Sequence, residues 1–195
     1  MRIATLTTVA AFALAAAACN NDAATDVSTD VNLAEDSAAN DVLGADQMGN
    51  AAAAMPTDAA GFANAAAATD LYEIEAAKLA ADKAGNAELK SLAQHIRTDH
   101  EKSTAELKTV AGTADISIAP KLDAEKQGML DQLKAASGAD FDRLYLEQQK
   151  TAHQKALALL QGYSSGGDNE ALKAFATKTA GAIKGHLDHA NTIKL

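Results

Sequence analysis

The chain has 195 residues, which is enough for one compact domain with extensions, and its single cysteine excludes an intrachain disulfide framework. The formal net charge is −9, but residues 61–195 carry 18 acidic and 16 basic side chains, so most of the excess lies closer to the amino terminus. The sequence shows neither a basic face nor an aromatic stacking pattern, which argues against a nucleic-acid partner.

Residues 1–18 have the features of a secretory signal peptide, with one arginine, an apolar run and small residues before Cys19. The apolar run is too short to span a membrane. Ala16-Ala17-Ala18-Cys19 resembles a bacterial lipobox, with Ala16 in place of the usual leucine, and predicts lipidation of Cys19. Asn20 stands where an inner-membrane retention signal would have Asp, which favours an anchor in the outer membrane, facing the periplasm. The alternative is a plain signal peptide and a soluble periplasmic protein.

Residues 19–56 follow as the lipidated cysteine and an acidic tether. Between residues 20 and 56 there are seven acidic side chains, no basic ones and no sustained apolar period. Such a segment cannot bury enough apolar surface to offset the entropy of ordering it, so we predict that it is disordered. A flexible coil of roughly 40 residues spans on the order of 35 Å, which suits a spacer between a membrane and a domain.

From residue 57 onward the chain is rich in Ala, Leu, Lys and Glu, a composition that favours helix. Periodic apolar residues predict four long helices and one short helix, and therefore an all-α domain over residues 57–195. The first long helix ends near Ala84, where Gly85 suits the C′ position, and Asn86 caps the second. Because almost nothing separates these two helices, they are expected to form an antiparallel hairpin.

Residues 112–138 connect the second long helix to the third and contain the short helix, at about residues 123–136. This connection is far longer than a tight turn needs and is long enough to run back along a bundle. We therefore predict that the second and third long helices are parallel. The third helix covers about residues 139–163, and Asp168 is the expected N-cap of the fourth.

Each long helix places one ionisable side chain on or beside its apolar stripe, namely Glu73, His100, His153 and His186. His100 lies within its stripe and is expected to point inward, where a buried polar ring needs partners. His153 lies on the flank of its stripe, so its burial is less secure. Helix lengths put Glu73, His100 and His153 at similar heights, and leave His186 roughly 7 to 8 Å out of level at the α-helical rise per residue.

Several motifs follow one another through the domain: Glu73 in YEIEAAKLA, the run LKSLAQHIRTDH ending at His100, Phe141-Asp142 and Tyr145 in FDRLY, His153, ALKAFATKT, and His186-Leu187. In this order they resemble the bacterial domain of unknown function 4142 family, which is grouped with ferritin-like helical bundles. The resemblance covers about residues 62–190. It departs at Ala77, often Gly in the family, and at Gly181, usually Pro. It implies a ferritin-like four-helix bundle in an exported protein, often a lipoprotein, and brings no established activity.

A metal site is one interpretation of the four inward-facing side chains. A ferritin-like di-iron site needs Glu-x-x-His on two helices. Here Arg97, Lys150 and Ile183 stand three residues before the histidines, which disfavours ferroxidase or iron-storage function. The remaining set of one carboxylate and three imidazoles suits a single Zn, Fe, Mn or Cu ion.

Two further residues are expected to support that site. Tyr145 lies two turns before His153 and is placed to donate a hydrogen bond to a ligand, and His189 completes His-x-x-His on the last helix. Otherwise His189 and His95 are expected to be solvated. Asp99 is expected to belong to a charged outer surface.

The sequence thus predicts an exported, lipid-anchored helical bundle that binds a metal ion or small ligand through Glu73, His100, His153 and His186, conjecturally in envelope stress. The alternative is a structural or partner-binding periplasmic bundle in which the same residues form a buried hydrogen-bond network without metal. No reaction is predicted, because sequence does not show open coordination positions, and no protein partner is identified.

Overall fold

The structure, a computed structural model, describes residues 55–195. These residues form five α-helices and no strand: α1 (Ala59–Lys83), α2 (Ala87–Thr113), α3 (Ala124–Ala135), α4 (Gly138–Gly166) and α5 (Glu170–Thr192). The predicted signal peptide, Cys19 and all but the last two residues of the predicted tether lie outside the described residues. Within residues 55–195, no helix combines the length and the hydrophobicity that crossing a bilayer requires.

The four long helices pack side by side. Both α1 and α5 pack against α2 and α4, so α2 and α4 occupy opposite corners of the arrangement, and the short α3 packs on α1 and α4. Asp142, near the start of α4, accepts hydrogen bonds of 3.0 Å from the backbone N–H groups of Gly85 and Asn86, which precede α2. The amino-terminal ends of α2 and α4 therefore lie together, and the predicted parallel orientation is confirmed.

Side-chain caps begin the first three helices. The capping residues of α1, α2 and α3 are Asp58, Asn86 and Asp123. At the end of α1, the predicted role of Gly85 is wrong, because the only glycine with a positive φ among the described residues is Gly138. The chain instead leaves α1 in an extended conformation at Ala84, and Asp142 binds the backbone N–H of Gly85.

The turn between α4 and α5 also differs from the prediction. Helix α4 continues to Gly166, and Asn169 rather than Asp168 caps α5. Asp168 instead accepts a hydrogen bond of 3.0 Å from the Tyr163 hydroxyl. The Tyr163 ring lies so close to Gly167 that a β-carbon there would approach it to 2.6 Å. This close contact explains why the turn needs a glycine at position 167.

Buried apolar side chains form two separate clusters along the long helices. The first cluster, where α2 and α4 begin, includes Leu92, Ile96 and Phe141. The second cluster, at the opposite end, includes Phe62 and Phe175. Between them each long helix contributes buried polar residues, which we call the polar layer: Asp70 and Glu73 on α1, His100 on α2, Gln149 and His153 on α4, and His186 on α5. The long helices thus enclose a polar layer between two apolar clusters.

Helix α1 is buried on more sides than its predicted stripe. The stripe predicted from the apolar spacing consists of Phe62, Ala65, Ala66, Thr69, Glu73, Ala76, Ala77 and Ala80. Ala63, Ala67 and Tyr72 lie outside it and are nevertheless buried. The reason is that α1 packs against three helices, α2, α3 and α4. His153 is likewise buried as completely as His100, because α4 also packs against three helices, so its predicted weaker burial is wrong.

Candidate metal centre

The structure brings together three histidines from three helices in the polar layer. One ring nitrogen of each of His100, His153 and His186 lies within 4.8 Å of the corresponding nitrogens of the other two. The three residues are 2, 2 and 7% exposed, and their ring centroids are 5.8, 5.9 and 5.4 Å apart. We call this group the three-histidine cluster.

The offset of His186 along the helix axis is smaller than expected and does not keep its ring out of the cluster. That expectation measured its height from the free end of α5, whereas the short turn between α4 and α5 sets the level. His153 stands 13 residues before Gly166, and His186 stands 16 residues after Glu170. The difference corresponds to roughly 5 Å along the axis. Long side chains bridge such a distance, and the two rings are in contact.

One nitrogen of every ring in the three-histidine cluster is bound by an oxygen acceptor outside it. The acceptors are the Asp70 carboxylate for Nδ1 of His100, the Gln149 carbonyl for Nδ1 of His153 and the Asp99 carboxylate for Nε2 of His186, at 2.7, 2.9 and 3.0 Å. Carboxylate and carbonyl oxygens accept hydrogen bonds, so the facing nitrogens carry protons. The opposite nitrogen of each ring is therefore the one that is free to bind inside the cluster.

Two of these inner nitrogens face each other. His153 Nε2 lies 3.3 Å from His186 Nδ1. Since each neutral ring already donates from its other nitrogen, both inner nitrogens present lone pairs. A shared proton, a bridging water molecule or a cation between them would relieve this repulsion. Burial lowers the pKa of His153 to about 3 and also lowers the pKa of His186, which disfavours the shared proton.

The third inner nitrogen, His100 Nε2, is buried without a hydrogen-bond partner among the described residues. Thr104 donates a hydrogen bond of 3.0 Å to the second oxygen of Asp70 and so orients the carboxylate that holds His100. Burial favours the neutral ring, but the hydrogen bond to Asp70 and the nearby charge of Glu73 outweigh it and raise the pKa of His100. In either protonation state, Nε2 needs a partner that the described side chains do not supply.

Glu73 lies beside the three-histidine cluster but on the Nδ1 side of His153. Its Oε1 is 3.5 Å from that nitrogen, and neither carboxylate oxygen meets the geometry of a hydrogen bond. Burial raises the pKa of Glu73 to about 7, although His100 and the Gln149 side chain act in the opposite direction. The structure thus places Glu73 next to one ligand candidate without adding its oxygens to the group of converging nitrogens.

Neither of the two residues that were expected to support the site forms a hydrogen bond to the three-histidine cluster. Tyr145 is fully buried, but its hydroxyl has no hydrogen-bond partner within residues 55–195 and does not reach His153. Burial, followed by the charge of Glu73, raises the pKa of Tyr145 well above its usual range. His189 lies outside the three-histidine cluster, with its ring 6.3 Å from that of His95.

The sequence interpretation missed the acceptors that orient the rings. Asp99 was expected on the charged outer surface, and its 41% exposed side chain does pair with Lys102 there, but its other carboxylate oxygen accepts the hydrogen bond from His186. Asp70 stands one helical turn before Glu73, a spacing that places both on one face of α1 and signalled the second buried carboxylate. No such signal existed for Asp99, since its partner comes from α5.

A small void adjoins the three-histidine cluster. It measures about 20 Å³ and is lined by His100, Asp70 and other side chains. This volume is about enough for one water molecule. A cavity of about 150 Å³ between α1, α3 and α4 shares Thr69, Ala156 and Leu159 with this void. Because drug-sized ligands occupy pockets of about 300 Å³ or more, only a ligand of a few atoms fits here.

Residues 162–166 match the Gly-x-Ser-x-Gly pattern of serine hydrolases. The structure places them in the last turns of α4, where the Ser164 hydroxyl donates to the Gln161 carbonyl at 2.9 Å. The nucleophile elbow of those enzymes joins a strand to a helix, and residues 55–195 contain no strand. The match therefore does not indicate a hydrolase.

Comparison with known proteins gives one result. The profile of the family described as Domain of unknown function (DUF4142) matches residues 44–193, a range that includes α1 to α5 and the three-histidine cluster. Neither the curated proteins nor the solved structures yield a match to this chain. Because the matched range covers more than three quarters of the sequence, the chain belongs to the DUF4142 family, as its motifs predict.

Proposed function

We propose that this protein binds one divalent metal ion between His100, His153 and His186. The observation that supports this most directly is the arrangement of the inner nitrogens. Two lone pairs face each other at 3.3 Å, and the third nitrogen is buried without a partner. A cation at the centre of the three-histidine cluster would satisfy all three nitrogens at once, which no rearrangement of protons among three neutral rings does.

The spacing of the rings fits such an ion. With metal–nitrogen bonds of about 2.0 to 2.1 Å, tetrahedral ligand nitrogens lie about 3.3 Å apart and the centroids of their rings about 5.2 Å apart. The inner nitrogens of His153 and His186 already have this separation, and the three centroid distances are 5.4 to 5.9 Å. All three inner nitrogens lie within 4.8 Å of one another, so binding would close the other two nitrogen separations by at most about 1.5 Å.

The surroundings support a divalent ion of the zinc, copper or iron type. Imidazole ligands suit these metals better than manganese, which prefers oxygen donors. The carboxylates of Asp70 and Asp99 accept hydrogen bonds from the outer nitrogens, an arrangement that fixes the ring orientation and makes the inner nitrogens more basic. Two carboxylates also match the charge of one divalent ion. Glu73 would have to turn toward the ion to become a further ligand.

Three imidazole ligands leave one position of a tetrahedral ion free, where a bound metal supplies Lewis acidity to a small ligand. The void of about 20 Å³ beside His100 limits that ligand to about the size of water. The protein's own contribution is to hold three imidazole rings in a buried layer and to exclude larger molecules. These features support a metal-binding protein, and we assign no reaction to it.

The wider setting of this centre is part of the proposal. A ferritin-like four-helix bundle is supported by the side-by-side packing of four long helices, with α2 and α4 parallel and joined by a connection that contains α3. The lipobox-like sequence before Cys19 supports export, lipid anchoring and a periplasmic, outer-membrane location. Metabolic labelling with a fatty acid is expected to modify the wild-type chain and to fail with Cys19→Ala; equal labelling of both would exclude this anchor.

The metal proposal is tested by elemental analysis of untagged protein purified after export, beside His100→Gln and, as a matched control, the exposed Lys108→Gln on the same helix. We expect nearly one equivalent of zinc, copper or iron in the wild type and the control. His100→Gln is expected to lose most of the metal and to retain its helical circular dichroism. Protein that contains no metal and takes up none of the added zinc, copper or iron would exclude the proposal.

A metal-free structural role is the competing function, and one observation favours it. The hydrogen bonds from His100 to Asp70 and from His186 to Asp99 exist without any ion, and each joins two different helices. If these bonds serve only to set the helix register, His100→Gln lowers the melting temperature without changing a metal content that is already zero. The same pair of variants therefore distinguishes the two functions.

A further inference from the structure

All five histidines of the chain lie in one region of the domain. Three form the buried cluster, and the other two, His95 on α2 and His189 on α5, lie near the surface where these helices meet. The ring centroids of His95 and His189 are 6.3 Å apart and the ring planes are tilted by 44°. We call this pair the surface histidine pair.

The surface pair lies one helical turn from the hydrogen bond between Asp99 and His186, a member of the buried cluster. His95 precedes Asp99 by four residues on α2, and His189 follows His186 by three on α5, so each shares a helix face with its neighbour. His186 donates to Asp99 at 3.0 Å. His186 is also the most exposed member of the buried cluster, and the Asp99 side chain is partly open to solvent.

We propose that His95 and His189 form a second, solvent-accessible divalent metal site that captures ions for the buried three-histidine cluster. The capture role rests on the proposed function of that cluster. The surface pair offers the same imidazole ligands and therefore selects the same class of ion, zinc, copper or iron. With only two protein ligands it binds more weakly than three converging rings, which suits a site that has to release its ion again.

The geometry of the surface pair is compatible with a shared ion. Two imidazoles on one metal have centroids about 5.2 Å apart at a tetrahedral angle and about 6.4 Å apart when they lie opposite each other. The observed 6.3 Å is close to the opposed arrangement, and tetrahedral binding would bring the two rings about 1 Å closer together. The Asp99 carboxylate, one turn from His95 on α2, supplies a negative charge beside His186, and its other oxygen lies 3.3 Å from Lys102 Nζ.

The same residues provide a route inward. The three-histidine cluster is buried, so an ion must pass a side chain to reach it. Next to the surface pair, Asp99 is joined to the cluster by its hydrogen bond with His186. Breaking this hydrogen bond frees a carboxylate oxygen and a ring nitrogen together. An ion held by His95 and His189 would stand one turn away from both groups.

The test uses Co²⁺ as the probe, with the full exported chain freed of metal. Visible absorption of bound Co²⁺ in a stopped-flow instrument reports the loading rate, and equilibrium titration reports the number of sites. The variants are His95→Gln/His189→Gln, the matched control Gln94→Ala/Asn191→Ala on the same two helices, and His100→Gln. Wild type and control are expected to bind one tight and one weak equivalent.

The surface double variant is expected to lose the weak equivalent, to keep the tight one with unchanged affinity, and to load it at least about tenfold more slowly. Loading and stoichiometry equal to wild type would overturn the inference while leaving the buried centre intact. The buried centre fails separately if wild type and His100→Gln show the same tight binding or none, and the capture role then falls with it.

Discussion

The second apolar cluster and the polar layer are built by the same four helices, yet only the cluster has a hydrogen-bond partner for its buried polar group. In the second cluster, the rings of Phe62 and Tyr163 stack with centroids 3.9 Å apart, and the Tyr163 hydroxyl donates a hydrogen bond to Asp168. In and beside the polar layer, six fully buried side-chain atoms have no hydrogen-bond partner within residues 55–195; they belong to Glu73, His100, Tyr145 and Gln149.

This difference indicates a division of roles along the helices. Unpartnered buried polar atoms reduce stability, commonly by about 1 to 3 kcal/mol each, so a layer that contains five of them is poorly suited to a purely stabilising role. The apolar clusters on both sides supply the stability that such a layer needs. The comparison can be tested by substitutions that affect one region and spare the other.

The largest expected effect is a loss of stability from an apolar cluster. Phe62→Ala should lower the free energy of unfolding by about 3 to 5 kcal/mol, because it removes a fully buried ring and leaves a cavity. Urea unfolding of metal-free protein measures this loss. The folded variant should still bind metal at the three-histidine cluster, and a loss of binding by the folded variant would show that the two regions are not separable.

A gain of stability is expected from the polar layer. Glu73→Gln should stabilise the metal-free protein by on the order of 3 kcal/mol above pH 7, because burial raises the pKa of Glu73 from 4.5 to about 7 and its charged form is costly to bury. Between these two pH values the folded wild type holds more protons than the unfolded chain. Its stability therefore falls as the pH rises through this window.

Thermal unfolding at pH 5 and pH 8 checks that prediction, with the exposed Glu75→Gln on the same helix as the control. The glutamine variant should lack the decline that Glu73 causes in the wild type. His153 contributes the opposite slope, since its folded pKa of about 3 lies below the ordinary value of 6.5, and stability from this group falls as the pH drops below 6.5. Equal pH profiles for wild type and Glu73→Gln would contradict the assignment.

A smaller effect concerns the residue that holds His186. Asp99→Asn should weaken metal binding at the three-histidine cluster by about 10- to 100-fold, because the neutral amide makes the ring less basic than the carboxylate does. Competition with a chromogenic chelator measures the affinity. Asp140→Asn, at an exposed position near the start of α4, serves as the control. An unchanged affinity would mean that the Asp99–His186 bond does not act on the metal centre.

The smallest expected effect concerns the buried hydroxyl of Tyr145, which lies beside the polar layer. Tyr145→Phe should raise the free energy of unfolding by about 1 kcal/mol, because the hydroxyl is buried without a partner and the ring packs against Phe141 with centroids 5.9 Å apart. Chemical denaturation of the metal-free proteins gives the difference. A lower stability of the variant would reveal that a water molecule or ion binds this hydroxyl.

Much of the fold was readable from local sequence. Helix composition, the cap at Asn86, and the long connection before α4 with its short helix are properties of neighbouring residues, and the structure agrees with them. The inward direction of His100 follows from the spacing of the apolar residues around it on one helix. The turn before α5 was predicted less well, because Tyr163 and Gly167 form their contact only after the chain has turned.

The site depended on contacts that no single segment contains. Asp70 and His100 are 30 residues apart, and Asp99 and His186 are 87 apart. The sequence alone determined that α2, α4 and α5 each carry a histidine on or beside the apolar stripe, because helical periodicity is local. Only the tertiary structure decided which nitrogens converge, that Glu73 lies on the other side of His153, and that Asp99 binds a ring, because side-chain geometry between helices depends on how those helices pack.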